Sequence, residues 1–326
     1  MQEVIGIARR ILHTLILLFA VIVLNFVLIR LAPGDVAQVI AGEMGGVTEE
    51  ILADIRAQYG LDKSIVEQLF IFLGRFARLD FGESYFYNLP VLKLIFDRVP
   101  ATLLLVLSAL MFSTTIGTII GVISARRPHS FLSHLVTFIS VGGYSMPVFW
   151  LGIMLLILFA SIIPIFPTAG MYDAAKEVGA LGYLVDVLHH LVLPAFTLSF
   201  IYLGQYSRLA RGSMLETLNA DYIRTARAKG LKEKRVIYKH ALRNAILPVI
   251  TMAGLQFSQL FAGAILVETV FNWPGLGRLA FEAILSRDYP TVLGLLFFSS
   301  LIVVTANLLT DLCYRLIDPR ITLGGQ

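Results

Sequence analysis

Six stretches of the chain contain no Asp, Glu, Lys or Arg for 19 residues or more, and charged residues gather between them. A helix that crosses a bilayer needs about 20 mostly apolar residues, so each stretch predicts one membrane-spanning helix. The third stretch is longer than one helix requires. Pro164, Pro167 and Gly170 predict that its helix ends near Ile163 and that a loop follows. The predicted spans lie within residues 11–29, 101–125, 130–172, 187–207, 244–267 and 289–310.

Composition narrows the class of protein further. The 326 residues are 57% hydrophobic and 15% charged, with a mean hydropathy of +0.80. Soluble domains are about 45–50% apolar and about 25% charged, so a soluble enzyme and a disordered chain are both excluded. The single cysteine, Cys313, excludes a disulfide scaffold and a cysteine-based zinc site. The predicted fold class is an all-α polytopic membrane protein with six transmembrane helices.

The distribution of charge predicts the orientation of these helices. If the N-terminus is cytoplasmic, the inside segments hold 16 Lys and Arg against 6 Asp and Glu, and the outside segments hold 10 against 16. Cytoplasmic loops are enriched in Lys and Arg, so both termini are predicted to be cytoplasmic. The basic pI of about 9.2 is then a signal of topology and does not indicate nucleic-acid binding. The first span lacks a small-residue cleavage site and is expected to be retained.

The spans divide the chain into three segments. Residues 1–30 form an N-terminal segment with the first span, residues 31–100 lie outside, and residues 101–326 form a five-helix core. In the outside segment, Thr48 and Gly60 suit the start and the end of a helix, and Ser64 and Glu67 have the spacing of a capping box. We expect two short amphipathic helices on the outer face of the membrane, with a plain connector as the alternative. Residues 80–84 are expected to form a turn.

The cytoplasmic segment 211–245, here called the basic loop, is predicted to form two short helices, 220–229 and 232–244, separated at Gly230. Helical spacing places Tyr222, Ala226 and Lys229 on one face of the first helix. A second stripe contains Val236, Ile237 and His240. A pair of short helices cannot bury such stripes alone, so they are expected to need a partner. The alternative is a basic segment that lies on anionic lipid.

The sequence contains no motif for bound-nucleotide or hydrolytic chemistry. It lacks the phosphate-binding loop, His-Glu-x-x-His and Gly-x-Ser-x-Gly. The adjacent His189 and His190 would point about 100° apart on a helix, which is poor geometry for one metal ion. We therefore expect no catalytic residue, no metal site and no cofactor bound by this chain.

Polar residues within predicted spans are costly and are therefore candidate functional positions. Asn307 and Asp311 share one face of the sixth span, although pairing of Asp311 with Arg315 would be a structural explanation. Glu268 could line the outer mouth of a pathway or be solvated there. Pro147 is expected to kink the third span, either as a moving or as a static bend. The candidate pathway or gating residues are Pro147, Gln256, Gln259, Glu268, Asn307 and Asp311.

Several longer motifs carry a resemblance to a known family. The sequence from Asp221 to Gly230 reads Asp-Tyr-Ile-Arg-Thr-Ala-Arg-Ala-Lys-Gly, and His240 to Pro248 reads His-Ala-Leu-Arg-Asn-Ala-Ile-Leu-Pro. With Phe271-Asn-Trp-Pro-Gly-Leu-Gly-Arg278, they resemble the permeases of bacterial ABC importers of the dipeptide, oligopeptide and nickel type. The dipeptide and glutathione permeases look most similar.

The loop departs from the general permease pattern of Glu-Ala-Ala, three residues, Gly, nine residues, Ile, any residue and Leu-Pro. Aligned on Gly230, it has Arg224 and Thr225 before Ala226, His240 in place of Ile, and Leu242-Arg243 in place of Leu-Pro. This departure leaves the individual contacts of the loop open. The resemblance implies an ATPase-coupling loop that comprises Asp221, Tyr222, Arg224, Thr225, Ala226, Lys229, Gly230, Val236, His240, Leu242 and Arg243.

The resemblance also implies a type I importer permease in the bacterial inner membrane. Its partners would be a second homologous permease, two cytoplasmic ATPase subunits that bind ATP and Mg²⁺, a periplasmic substrate-binding protein and the lipid bilayer, with no nucleic acid. The substrate would be a dipeptide, an oligopeptide, a glutathione-like peptide or a nickel chelate. An ion-coupled carrier is the rival function, but it would usually show inverted repeats and ionisable groups at the midplane. An intramembrane hydrolase is another rival, and no nucleophile and base pair supports it.

Overall fold

The computed structural model describes residues 16–27, 62–126, 130–176 and 179–317, with positions 12, 49, 52, 53 and 128. Side chains are described up to Ala306. The helices within these ranges are α1 (Ile16–Val27), α2 (Ile65–Ala77), α3 (Val91–Arg126), α4 (Phe131–Ser145), α5 (Val148–Leu156), α6 (Ala180–Leu218), α7 (Asp221–Ala228), α8 (residues 233–245), α9 (Leu247–Val270), α10 (Leu276–Leu285) and α11 (Tyr289–Ile317).

Two of these helices contain π-helical turns, in which the hydrogen bonds span one residue more than in an α-helix. The end of α5 continues as a π-helix over Ile157–Ile162, and the middle of α8 is π-helical over Val236–Ala241. The end at Ile162 confirms that the third predicted span stops near Ile163.

Three described helices are long and apolar enough to cross a bilayer: α3, α6 and α11, the last over residues Tyr289–Ala306. A fourth candidate is α9, whose halves Leu247–Phe257 and Gln259–Val270 are bent by 43°. Shorter apolar helices cover Ile16–Val27 and Val148–Ile162. The structure therefore supports an all-helical membrane protein with three or four candidate spans in its described residues, fewer than the six predicted.

The third predicted span differs most from expectation. Pro147 was expected to kink a continuous helix, but α4 ends at Ser145 and α5 begins at Val148, with Pro147 as its N-cap residue. Met146 and Pro147 are extended, with ψ near 133° and 132°. A proline disfavours helical backbone in the residue before it, and here the result is a break in the helix. The expected kink is therefore wrong.

The chain divides into two compact units. The first comprises residues 1–99, 279–305 and 322–326. Its described part is built around phenylalanine rings: Phe76 lies 4.4 Å from Phe72, 4.9 Å from Phe81 and 5.6 Å from Phe297, measured between ring centroids. Phe72 in turn lies 5.6 Å from Phe26 of α1. Aromatic pairs at these separations stabilise beyond the area that they bury.

The predicted capping box at the start of α2 is present. The Ser64 hydroxyl accepts the Glu67 N–H, and the Glu67 carboxylate accepts the Ser64 N–H at 3.1 Å. The Ser64 hydroxyl also donates to Glu67 Oε2 at 2.8 Å, and this hydrogen bond, together with the one from the Ser64 N–H, lowers the pKa of the Glu67 carboxyl. The turn predicted at 80–84 is also present, with a left-handed Gly82 at φ +76°. For the helix expected from Thr48 to Gly60, only Glu49, Leu52 and Ala53 lie in the described residues, and all three are helical.

The second unit comprises residues 100–278 and 306–321. Its long helix α6 packs against α4, α5 and α9. Gly117 and Gly121 of α3 face α6 so closely that a Cβ at Gly117 would lie 2.7 Å from the Tyr206 Cβ, and one at Gly121 would lie 2.7 Å from the Ala210 Cβ. Two small residues four apart let membrane helices approach backbone to backbone, which explains the close packing of α3 on α6.

Candidate functional site

The basic loop forms two helices joined at Gly230, as the sequence predicts. Helix α7 covers Asp221–Ala228 and α8 begins at Glu233. Gly230 has φ +74°, in the left-handed region, and its N–H donates to the Arg227 carbonyl at 2.9 Å. A Cβ at this position would meet nothing within 4 Å. The backbone conformation, and not lack of space, therefore explains glycine at this turn.

An ion pair that we did not predict from sequence spans this turn. Arg227 Nη2 lies 2.9 Å from Glu233 Oε1, and Arg227 Nε lies 3.3 Å from Oε2, so the guanidinium binds both carboxylate oxygens. The hydrogen bond from Arg227 lowers the pKa of the Glu233 carboxyl. The pair therefore contributes stability above the unfolded pKa of Glu233 and loses it as the pH falls through the folded pKa. Because the side chains are 42% and 53% exposed, that contribution is about 1 kcal/mol or less.

The apolar side of the basic loop is buried within the chain itself. Val236, Ile237 and Ala241 of α8 are each at most 2% exposed and pack in one cluster with Met214 of α6. The remaining buried members of the cluster are Val122, Ala125, Ile223, Ala226 and Ala245. The expectation that these stripes need a separate partner is therefore wrong, because the C-terminal ends of α3 and α6 cover them.

The face of α7 was predicted correctly only in part. Ala226 is buried in the cluster as predicted, and Ile223 is buried with it, whereas Tyr222 and Lys229 are exposed. On α8, Val236 and Ile237 are buried as predicted, and His240 and Leu242 are half-buried.

The other side of the basic loop is polar and exposed. Asp221 and Arg224 form an exposed ion pair at 3.4 Å, and the Tyr222 hydroxyl accepts a hydrogen bond from Asn244 Nδ2 at 2.8 Å. Within the part of the chain that the structure describes, no acidic partner is found for six exposed cations of this loop. They are Lys229, Lys232, Lys234, Arg235, Lys239 and Arg243. Together with Tyr222 and Thr225, these side chains form a rigidly supported basic surface, here called the exposed loop face.

At the other end of α9, Glu268 is completely buried. Its Oε1 accepts the Thr102 hydroxyl at 2.6 Å, and its Oε2 accepts the N–H groups of Gly277 and Arg278 at 2.7 and 3.0 Å. The Thr102 hydroxyl also accepts the Leu276 N–H at 2.8 Å. Of the two alternatives for Glu268, solvation at the outer end is therefore wrong, and a place at the outer mouth of a pathway stays a prediction.

Glu268 and Thr102 thus satisfy the first three N–H groups of α10, which have no partner within their own helix. A carboxylate is favoured at this position by the helix dipole as well. Trp273, also completely buried, donates its Nε1–H to the Ala101 carbonyl at 2.9 Å. These hydrogen bonds join the end of α9, the start of α10 and residues 101–102 of α3 into what we call the outer joint.

The glycines of the Phe271–Arg278 motif are explained by the same joint. A Cβ at Gly277 would lie 2.5 Å from the Ile265 Cα, and a Cβ at Gly275 would collide with the Glu268 carboxylate. Neither position can accept a larger residue without displacing the backbone or the buried carboxylate. The sequence of this motif did not indicate that Thr102 would contact it.

The other candidate pathway residues are placed as follows. Gln256 is 1% exposed and donates from Nε2 to Gln259 Oε1 at 2.8 Å, and Gln259 itself is exposed. Pro147 is exposed at the break between α4 and α5. Asn307 and Asp311 lie in α11, but their side chains are outside the described residues.

The two adjacent histidines each contact a backbone carbonyl. His189 Nε2 lies 2.9 Å from the Ile165 carbonyl oxygen, and His190 Nδ1 lies 2.8 Å from that of Asp186. Among the described residues, no three His, Cys, Asp or Glu side chains come together as they would around a metal ion.

Comparison with protein families gives two matches that together span most of the chain. Residues 117–323 match the family described as binding-protein-dependent transport system inner membrane component. Residues 4–106 match the N-terminal family of the same membrane components.

Several curated proteins are similar over nearly their whole length. The chain is 40% identical over 329 residues to the di/tripeptide transport system permease protein DppB of Pseudomonas aeruginosa, covering 97% of this chain and 98% of that protein. It is 39% identical over 316 residues to the oligopeptide transport system permease protein AppB of Bacillus subtilis, with the same coverage. It is 40% identical to the dipeptide transport system permease protein DppB of Escherichia coli K12, covering 91% and 93%.

Among solved structures, the chain is similar to one from the MetNI methionine ABC transporter in an inward-facing conformation. The TM-score is 0.55 at 18% identity, and the match covers 70% of this chain and 97% of the other. At this identity the likeness concerns the fold.

The hydrogen bonds of the outer joint predict that a change at Glu268 lowers the stability of the protein. In Glu268→Gln, one carboxylate oxygen becomes an NH2 group that cannot accept a hydrogen bond, so either the Thr102 hydroxyl or the N–H groups of Gly277 and Arg278 lose their acceptor. The cost of leaving such a buried donor without an acceptor is about 1–3 kcal/mol. We expect a lower midpoint of thermal unfolding for the purified protein in detergent. Glu282→Gln is the matched control, because that half-buried carboxylate accepts the Tyr87 hydroxyl and lies outside the joint.

A double-mutant cycle with Thr102→Val tests whether the two residues act together. Because the Thr102 hydroxyl bonds both Glu268 and the α10 N-terminus, the combined loss should be smaller than the sum of the single losses. If the two single losses in unfolding midpoint add exactly, or if Glu268→Gln leaves the midpoint unchanged, Glu268 and Thr102 do not act together as the outer joint requires.

Proposed function

The chain belongs to the family of binding-protein-dependent transport system inner membrane components, and from this premise we propose that it is the permease subunit of an ATP-driven peptide importer. It moves peptides from the periplasm to the cytoplasm across the bacterial inner membrane. The observation that carries the proposal is about 40% identity, over nearly full length, to permeases named for dipeptides, di/tripeptides and oligopeptides.

The energy for transport comes from partner subunits. The sequence has no phosphate-binding loop, so ATP and Mg²⁺ are bound by two cytoplasmic ATPase subunits and not by this chain. A periplasmic binding protein delivers the peptide and sets most of the specificity. A second homologous permease completes the pathway, because one bundle of six helices supplies only half of its wall.

The exposed loop face is the proposed docking surface for the ATPase. It is polar and cationic, and its buried side is fixed by the apolar cluster to the C-terminal ends of α3 and α6. A displacement of the docked ATPase therefore moves both long helices, because a packed apolar core shifts as a unit and does not deform continuously. The Arg227–Glu233 pair and Gly230 keep the angle between α7 and α8 during that movement.

The distribution of charged residues supports a number of spans and an orientation of the termini. We propose six spans with both termini cytoplasmic: α4 and α5 together form the third span despite their break at Pro147, and the bent α9 forms the fifth. Helical breaks inside membrane proteins are tolerated where neighbouring helices satisfy the freed backbone groups. The candidates for the pathway or its gating in the assembled pair remain Pro147, Gln256, Gln259, Glu268, Asn307 and Asp311.

The alternative substrate is a nickel chelate carried by the same type of permease. An ion-coupled secondary transporter is a more distant alternative. The energy source of uptake distinguishes an ATP-driven importer from an ion-coupled carrier. Uptake by an ATP-driven importer stops when ATP is depleted. Uptake by an ion-coupled carrier stops when the ion gradient is collapsed, even if ATP is maintained.

Uptake by cells that lack this chain tests the function directly. We expect loss of the accumulation of labelled dipeptides and tripeptides, and restoration by the plasmid-borne gene. Excess unlabelled peptide should compete and a nickel chelate should not. Uptake that is unchanged by the deletion, or that nickel chelates alone inhibit, would contradict the peptide assignment.

Labelling of single cysteines in intact cells tests the topology, with Cys313→Ser as background. Glu83→Cys should react with a membrane-impermeant maleimide, since it lies in the predicted outer segment. Lys234→Cys should react only after the membrane is permeabilised. The reverse pattern would show that the charge distribution had been interpreted in the wrong direction.

Gly230→Val tests the role of the basic loop in coupling. A β-branched side chain at φ +74° costs about 1 kcal/mol or more and changes the angle between α7 and α8. We expect normal amounts in the membrane but reduced uptake, together with loss of substrate-stimulated ATP hydrolysis in the reconstituted complex.

Gly230→Asn is the matched control for that variant, because asparagine tolerates the left-handed region. It should retain more coupling than valine does. If Gly230→Val keeps full substrate-stimulated ATP hydrolysis, the turn at Gly230 has no role in coupling. If valine and asparagine reduce coupling equally, the left-handed conformation of the turn is not the cause of the reduction.

A further inference from the structure

Helix α2 carries apolar side chains on two different faces. One face packs inside the first unit, where Phe76 is 4% exposed and Phe72 contacts Phe26. The second face is a stripe with i, i+4, i+7 and i+11 spacing, here called the outer stripe: Val66, Phe70, Leu73 and Ala77. Val66 is 63% exposed and Phe70 is 69% exposed. A helix in water would present polar residues on that second face.

Two aromatic contacts join α2 to apolar helices. Phe26, one residue before the end of α1, contacts Phe72 at 5.6 Å. Phe297, which contacts Phe76 at 5.6 Å, is eight residues into α11, about 12 Å along that helix from its start at 1.5 Å per residue. Both helices are apolar, and the apolar stretch of α11 is long enough to cross a bilayer. Helix α2 therefore packs against apolar segments at Phe72 and Phe76.

The charged residues of α2 lie at its ends. Lys63 precedes the helix, Glu67 is in its first turn, Arg75 is in its last turn and Arg78 follows it, and all four side chains are exposed. Long cationic side chains can extend from an apolar surface to the phosphate groups of lipids. An apolar stripe with cations at its margins is the pattern of a helix that lies in a membrane interface.

We propose that the outer stripe of α2 is a lipid-binding surface that lies at the boundary between headgroups and acyl chains in the outer leaflet. Phospholipid acyl chains cover Val66 and Phe70, and Lys63, Arg75 and Arg78 contact the lipid phosphates. Through Phe72 and Phe76 the same helix packs against the apolar helices α1 and α11, so the stripe lies beside segments that we expect to lie in the bilayer. The surface thus fixes the extramembrane segment of the first unit to the bilayer, independently of which substrate the transporter carries.

The test measures the surroundings of single nitroxide labels in the full transporter, reconstituted in nanodiscs of phosphatidylethanolamine and phosphatidylglycerol. Val66→Cys and Phe70→Cys are labelled in a Cys313→Ser background. Arg75→Cys is the matched control, since it is exposed on the same helix outside the stripe. Two collision rates are measured for each label. One is the rate with oxygen, which partitions into lipid, and the other is the rate with a water-soluble nickel complex.

Labels at Val66 and Phe70 should show a higher ratio of oxygen to nickel collisions than the label at Arg75. The ratio should fall to the Arg75 value when the protein is kept in a lipid-free amphipathic polymer. A nickel-accessible label at both stripe positions would show that water covers the stripe and would overturn the proposal. Low accessibility of the labels to both reagents would show that a protein surface covers the outer stripe, from the second permease or from another segment of this chain. That result would also overturn the proposal.

Discussion

The burial of Val236, Ile237 and Ala241 against the C-terminal ends of α3 and α6 is the contact on which the proposed mechanism depends. The basic loop has 35 residues with nine Lys and Arg, and such a composition alone does not favour one conformation in water. The apolar cluster stabilises one conformation, because nine buried side chains from four helices pack together. The cations are thereby left on the opposite side, where they can meet a partner, and any force on them reaches two long helices directly.

The outer joint holds chain segments in one arrangement as well, but it does so through hydrogen bonds between polar groups. Glu268 is buried near the end of an apolar helix, where an unsatisfied carboxylate would be very costly. Its three neighbouring donors, from Thr102, Gly277 and Arg278, satisfy it and at the same time complete the N-terminus of α10. The second unit is therefore fixed at both ends of α9: by apolar packing beside the basic loop and by hydrogen bonds at the outer joint.

Local features of this fold could be predicted from sequence, and features that depend on distant residues could not. The left-handed Gly230, the Ser64–Glu67 capping box and the helix end near Ile163 are properties of a few neighbouring residues. The burial of Glu268 was not predicted because its partner Thr102 lies 166 positions earlier. The buried face of α7 was predicted only in part because Ile223 and Tyr222 are adjacent, and only the position of α6 decides which of them faces the core. The Arg227–Glu233 pair was visible as opposite charges on either side of a glycine, a signal that could have been used.

The central claim, that the exposed loop face contacts an ATPase subunit, is tested most directly by site-specific photo-cross-linking. A benzoylphenylalanine is placed at Tyr222, on the exposed loop face, and at Met111, an exposed position within the apolar α3. Irradiation of membranes that contain the whole transporter should join the Tyr222 position to an ATPase subunit, with a yield that changes when ATP is added. The Met111 position should give no such product. A Tyr222 position that cross-links only to lipid or to this chain, in a transporter that still takes up peptide, would contradict the claim.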